Sequence, residues 1–145
     1  MSQSHQYIRW FNELTIQDIP LVGGKNASLG EMYRELATEG VIVPNGFAIT
    51  AEAYREMLDQ ALAWPRLHEL LDHLDPEDVA DLAHRAQQAR DLVYAALLPL
   101  DLQQQILAAF TQLQQEYGDD LTVAVRSSAT RSQRPLVVCS ATTLG

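Results

Sequence analysis

Across 145 residues there is one cysteine, Cys139, and one lysine, Lys25. A single cysteine excludes an internal disulfide and a multi-cysteine metal site. Long apolar runs are missing too. The longest candidate, YAALLPL at 94–100, carries Pro99 and falls far short of the roughly 20 residues that span a bilayer. The opening, MSQSHQYIRWF, has no basic start followed by an apolar core, so no signal peptide is expected and the cytoplasm is the expected compartment. Positive charge is scarce. The net charge of −9 argues against nucleic-acid and membrane partners and is what a soluble surface carries. The four histidines, His5, His68, His73 and His84, form no helical metal pair, and no Ser-His-Asp or Cys-His arrangement is present.

What is there is ordinary globular material. Hydrophobic residues make up 47% of the chain, enough to build a core in one domain of this length. Tyr7–Phe11 (YIRWF) predicts a short strand. Residues 15–24 predict a loop ending in Gly23-Gly24, and a helix follows from Lys25 with Leu29, Met32, Tyr33 and Leu36 on its apolar face and Gly40 at its end. Residues 41–50 (VIVPNGFAIT) predict a strand broken by a Pro44-Asn45-Gly46 turn, with Thr50 capping the next helix. Asp75-Pro76-Glu77-Asp78 is a helix start, followed by a stripe of Val79, Leu82, Ala86, Val93 and Leu97. After Pro99 a further helix places Leu102, Ile106, Phe110 and Leu113 on one face. Residues 121–126 (LTVAVR) predict a buried strand.

The last stretch differs. Up to residue 120 the chain has 19 acidic and 7 basic residues; from 121 onward it has three arginines and no acid. Residues 131–145 (RSQRPLVVCSATTLG) show neither a helical stripe nor clean alternation.

Two short constellations can carry chemistry. Gly23 and Gly24 let the backbone approach a ligand closely, because no Cβ intervenes. The helix start behind them offers free N–H groups and a partial positive charge, both suited to phosphate. Lys25 adds a full charge there, in a chain that otherwise uses arginine. This is not the P-loop spacing, since Asn26 follows the lysine. Arg126-Ser127-Ser128 comes second: an arginine after an apolar strand can grip phosphate through paired N–H groups, and two hydroxyls can add hydrogen bonds. A solvated lysine on a turn, and a surface arginine before a serine-rich turn, are the plainer alternatives, and the residues alone leave them open.

LVGGKNASLGEM at 21–32, VPNGFAIT at 43–50 and AVRSSAT at 124–130, in this order and spacing, resemble the N-terminal region of the phosphoenolpyruvate synthases (pyruvate, water dikinases), within the pyruvate phosphate dikinase ATP-binding family. The resemblance covers about Trp10 to Thr130. It implies an α/β (α+β) fold: the N-terminal part of an ATP-grasp-like nucleotide-binding domain, with a helical insertion at about 51–117. It implies ATP as cofactor with Mg2+, pyruvate as the second substrate of the full-length enzyme, and a homodimer in the full-length family. Carried over to this sequence, Lys25 and Arg126 would contact the ATP phosphates, with Gly23, Gly24, Ser127 and Ser128 in support. After Thr130 the family continues with an acidic stretch that this chain lacks, and none of its histidines lies in the family's phosphohistidine motif. The expected organisation is therefore a partial ATP-binding domain at 1–130 and an aberrant, frameshifted tail at 131–145, inactive as a synthase by itself and leaving strand 121–126 without its family neighbours. The alternatives are a related phosphotransferase, acting on rifampicin or forming phosphoenolpyruvate with phosphate, and a non-catalytic nucleotide-binding module.

Overall fold

A computed structural model describes residues 6–130 and the backbone of 137–143. The fold is α+β. Described residues divide into two compact units, one drawn from positions up to 54 and from 100 onward, the other from 55–99.

The first unit is a four-stranded antiparallel sheet with helices on both faces. Its strands are β1 (Ile8–Trp10), β2 (Gly46–Ile49), β3 (Val123–Ala129) and β4 (Val137–Thr143), in the spatial order β1-β2-β4-β3. Alternation along the strands sends successive side chains to opposite faces. Ile8, Phe47 and Ile49 meet Ala109 and Leu113 of helix α6 (Leu100–Tyr117) on one face. Trp10 packs edge-on to Phe47 there, ring centroids 5.7 Å apart. Ala48 points the other way, into a cluster with Phe11, Leu14, Val22 and Ala27. Each large side chain fully withdrawn from water stabilises the fold by about 1.5–3 kcal/mol.

That second face carries helix α1 (Ile19–Val22) and helix α2 (Gly24–Thr38). Phe11, expected to end the first strand, instead opens a 3-10 turn (Phe11–Glu13). A second such turn (Ile16–Asp18) leads into α1, and these last two lie within the stretch 15–24 expected as a loop. The second is held by Asp18, whose carboxylate accepts from the Thr15 backbone N–H at 2.7 Å. α2 buries Asn26, Ala27 and Gly30, and Met32 of the expected apolar stripe is 48% exposed. The reason is close approach. A Cβ on Gly30 would lie 2.5 Å from the Leu14 Cβ and 2.8 Å from the Leu14 carbonyl oxygen, so the helix docks through its small residues.

Other expectations shift in detail. Residues 41–45 are not strand, and Ile42 is almost fully exposed. Instead Asn45 ties the approach to β2 down: its N–H donates to the Tyr117 hydroxyl at 2.9 Å, at the end of α6. Thr50 does cap helix α3 (Ala51–Gln60), accepting from the Ala53 N–H at 3.4 Å.

The strand expected at 121–126 runs instead from Val123 to Ala129 and lies at the sheet edge, with Val125 69% exposed. It does not lack a neighbour. β4, from the segment that shows no alternation, pairs with all seven residues of β3 and inserts between β3 and β2. This pairing draws Ser127 and Ser128 into a strand, where a turn was the plainer expectation.

The second unit holds helix α4 (Trp64–Leu71) and helix α5 (Val79–Ala95). Leu67, Leu70 and Ala89 are buried. α5 starts three residues later than the Asp75 signal suggests. Asp78 is the cap, accepting from the Asp81 N–H at 3.0 Å, while Asp75 accepts from the Glu77 N–H in the preceding turn. Val79 and Leu97, at the two ends of the expected stripe, are exposed.

Candidate nucleotide site

α1 ends at Val22, and the chain reverses through Gly23 into α2. Gly23 sits at φ +81°, ψ 162°, a conformation that side chains rarely tolerate. It is also pressed against β3: a Cβ there would fall 2.3 Å from the Ser128 Oγ and 2.8 Å from the Ala129 carbonyl oxygen. The first ladder bond of α2 runs from the Ala27 N–H to the Gly23 oxygen at 3.1 Å. The N–H groups of Gly24, Lys25 and Asn26 therefore lie ahead of the ladder, at the positive end of a 15-residue helix.

Gly23 thus seats the start of α2 on β3, and one cavity results. Its volume is about 440 Å³, within the range of small-molecule sites. Gly24, Lys25, Asn26 and Ser28 line it from the first turns of α2, and Arg126 lines it from β3. Ile19, Leu29 and Met32 give it an apolar wall. Register explains Arg126: it pairs with Ser140, which pairs with Ala48, so Arg126 projects from the same face as Ala48, the one that carries α2. The side chains of Lys25 and Arg126 are exposed and, among the described residues, neither forms an ion pair or hydrogen bond.

The sequence candidates separate as follows. Lys25, Gly24 and Arg126 share the cavity. Gly23 and Ser128 are packed together beside it, both buried. Ser127 alternates to the opposite face of the sheet and is exposed. Two features escaped the sequence reading. Asn26 is 1% exposed, its amide donating to the Val22 carbonyl at 2.9 Å, and Gly30 seats the helix. A glycine inside a helical pattern is a signal of close packing, and it was available for Gly30.

A second cavity, about 480 Å³, lies at β1 and α6. Three glutamines, Gln6, Gln105 and Gln112, and Trp10 line it with no ionisable group. It offers nothing to a phosphate. Among the described residues no group of three or more His, Cys, Asp or Glu is placed to hold a metal ion. No single helix among them is long and apolar enough to cross a membrane.

The pyruvate phosphate dikinase AMP/ATP-binding domain matches residues 19–135. The chain is 44% identical to phosphoenolpyruvate synthase of Helicobacter pylori over 131 residues, covering 90% of this chain and 16% of that protein. It is 47% identical to the Pseudomonas aeruginosa phosphoenolpyruvate synthase over 130 residues, covering 90% and 16%, and 42% identical to that of Escherichia coli over 132 residues, covering 91% and 16%. The chain spans about a sixth of the length of these relatives, whose names describe a kinase-type transferase. With most of its length matched, including both segments that form the cavity, the chain belongs to the pyruvate phosphate dikinase AMP/ATP-binding domain family.

Proposed function

We propose that the cavity between the start of α2 and β3 holds the phosphates of ATP, as one half of a nucleotide site in a phosphoenolpyruvate synthase. The observation that carries this reading is the convergence of Lys25 and Arg126 on one cavity, neither neutralised by an acid among the described residues, in a chain of net charge −9. Two unneutralised cations lining one cavity repel one another and gain from an anion. Arginine supplies a planar fork for two phosphate oxygens, lysine a mobile point charge, and the α2 N–H groups a fixed dipole. Together they would hold a triphosphate and stabilise charge that develops as a phosphoryl group leaves.

In the whole enzyme the phosphoryl group would go to pyruvate, with water and Mg2+, in the cytoplasm, and the enzyme would be a homodimer. Mg2+ would arrive with the triphosphate, since the described residues supply no set to hold it. The chain by itself would bind nucleotide without making phosphoenolpyruvate. Residues 131–145 belong to the proposal as a stretch that departs from the family pattern; reading the coding DNA through codon 130 in all frames tests a frameshift there.

Calorimetric titration with Mg·ATP tests the site. Lys25→Ala and Arg126→Ala should each weaken binding roughly tenfold to a hundredfold, the worth of a charge-assisted contact. Parent affinity in both variants would overturn the site.

A further inference from the structure

We infer that Asn26 is a positioning residue for this site: its buried amide clamps the Gly23 turn, and so fixes where Lys25 and the α2 N–H groups stand. The inference rests on the nucleotide reading of the cavity.

Asn26 is 1% exposed and lies on the docked face of α2, where its neighbours are Ala27 and Gly30. An apolar residue is the cheap choice at such a place. The Asn26 Nδ2 donates to the Val22 carbonyl oxygen at 2.9 Å, across the reversal between α1 and α2. That bond fixes the orientation of the amide, because a flipped amide would set oxygen against oxygen. Its Oδ1 is then turned away and, among the described residues, has no partner although it is buried. A buried acceptor left unpaired is destabilising. The amide is therefore a poor device for stability alone, and what it provides is geometry.

The turn is gripped from its other side as well. Ser128 on β3 is 2% exposed, and its Oγ too lacks a partner among the described residues. Against the strand, Gly23 has no room for a side chain. Lys25 directly precedes Asn26, and both line the cavity. Releasing the clamp would let the reversal widen while the helix itself persists.

Two substitutions separate positioning from bulk. Asn26→Leu keeps the number and branching of the side-chain heavy atoms with more bulk, removes the unpaired oxygen and removes the donor. Asn26→Ser leaves a small cavity but keeps a hydroxyl, a shorter donor toward the Val22 carbonyl. Thermal midpoint, Mg·ATP affinity and amide exchange at Gly23 and Ala27 are measured on both, beside Lys25→Ala. Asn26→Leu should keep its midpoint yet bind about tenfold more weakly, with about tenfold faster exchange at Gly23 and Ala27, the equivalent of one hydrogen bond. Asn26→Ser should melt lower yet bind nearly as the parent does. Affinity that follows the midpoint across the set, or unaltered exchange in Asn26→Leu, overturns the clamp. Weakened binding in Lys25→Ala with parent affinity in Asn26→Leu sinks the clamp and spares the site; parent affinity in Lys25→Ala sinks the site.

Discussion

The sheet unit and the 55–99 unit solve different problems. The 55–99 unit contains no glycine. It is built from helices joined in sequence, and its ion pairs Arg66–Glu69 and Arg85–Asp81, with the hydrogen-bonded pair His68–Asp72, are all one helical turn apart and partly solvent-facing. Pairs of that kind are each worth only about 0.3–0.5 kcal/mol. The sheet unit is assembled from segments far apart in the chain and brings backbone against backbone, at Gly23 on β3 and Gly30 on Leu14. Its two site cations are left without an acid among the described residues. Charges neutralised within a turn decorate a surface. Charges kept apart from acids and set against glycine-lined backbone are available to a ligand. The contrast teaches where to look for chemistry: in the region whose construction needed long-range closure.

The largest way to break the comparison is to remove 131–145. β4 would be lost from the middle of the sheet, with three paired positions to β2 and seven to β3. At about 0.5–1.5 kcal/mol net per backbone bond, such a loss rivals the 5–15 kcal/mol that holds a whole domain. The shortened chain should lose cooperative thermal unfolding and nucleotide binding together. A sharp transition at the parent temperature would show that the sheet does not depend on β4.

Next in size is Gly23→Ala. The left-handed backbone and the collision with Ser128 and Ala129 together should cost about 3 kcal/mol or more, read by urea denaturation. Gly40→Ala is the control. Gly40 is also at positive φ, +76°, but nothing lies within 4 Å of its missing Cβ, so its cost should stay near 1 kcal/mol. Equal costs would mean that the contact with β3 is not tight.

A change in the other unit sharpens the contrast. Leu70 is 5% exposed, and Leu70→Ala should remove about 2–3 kcal/mol, seen as faster amide exchange within 55–99. Mg·ATP affinity should not change. An affinity loss as large as that of Lys25→Ala would join the two units in function.

Much of this was legible from residues, and what was missed has a common cause. Local signals did well: the helix start expected at Lys25 lies one residue from the observed one, and the Thr50 cap and the α6 stripe stand. Long-range pairing is what local pattern cannot show. Nothing in 137–143 alternates cleanly, and its place between β2 and β3 is set by pairing with segments far away in the chain, so β4 was invisible and β3 looked orphaned. The face of α2 was read only in part, for a related reason. Leu29 and Tyr33 of the expected stripe do pack against the core. Large apolar residues such as Met32 suggested the buried side, but close docking selects small ones, and Asn26, Ala27 and Gly30 face inward. The same error hid Asn26, whose role depends on a carbonyl one turn back and on a cavity closed by a strand a hundred positions away. The two cations were visible as candidates; that they share a cavity was not.

The smallest expected effect is the most selective. Gly24 is the first residue of α2 and lines the cavity, yet nothing lies within 4 Å of the position its Cβ would take. Nor does its backbone have the positive φ that makes Gly23 irreplaceable. Packing therefore gives no reason for glycine there, and Gly24→Ala should raise stability by about 0.5 kcal/mol by restricting the unfolded chain. If phosphate comes down onto the start of α2, the added methyl stands in its path. Mg·ATP affinity should then fall severalfold while the midpoint of urea unfolding rises. Such opposed movement cannot come from damage to the fold. A stability gain with parent affinity would instead mean that the nucleotide approaches Lys25 and Arg126 from another side, leaving the Gly24 amide uninvolved.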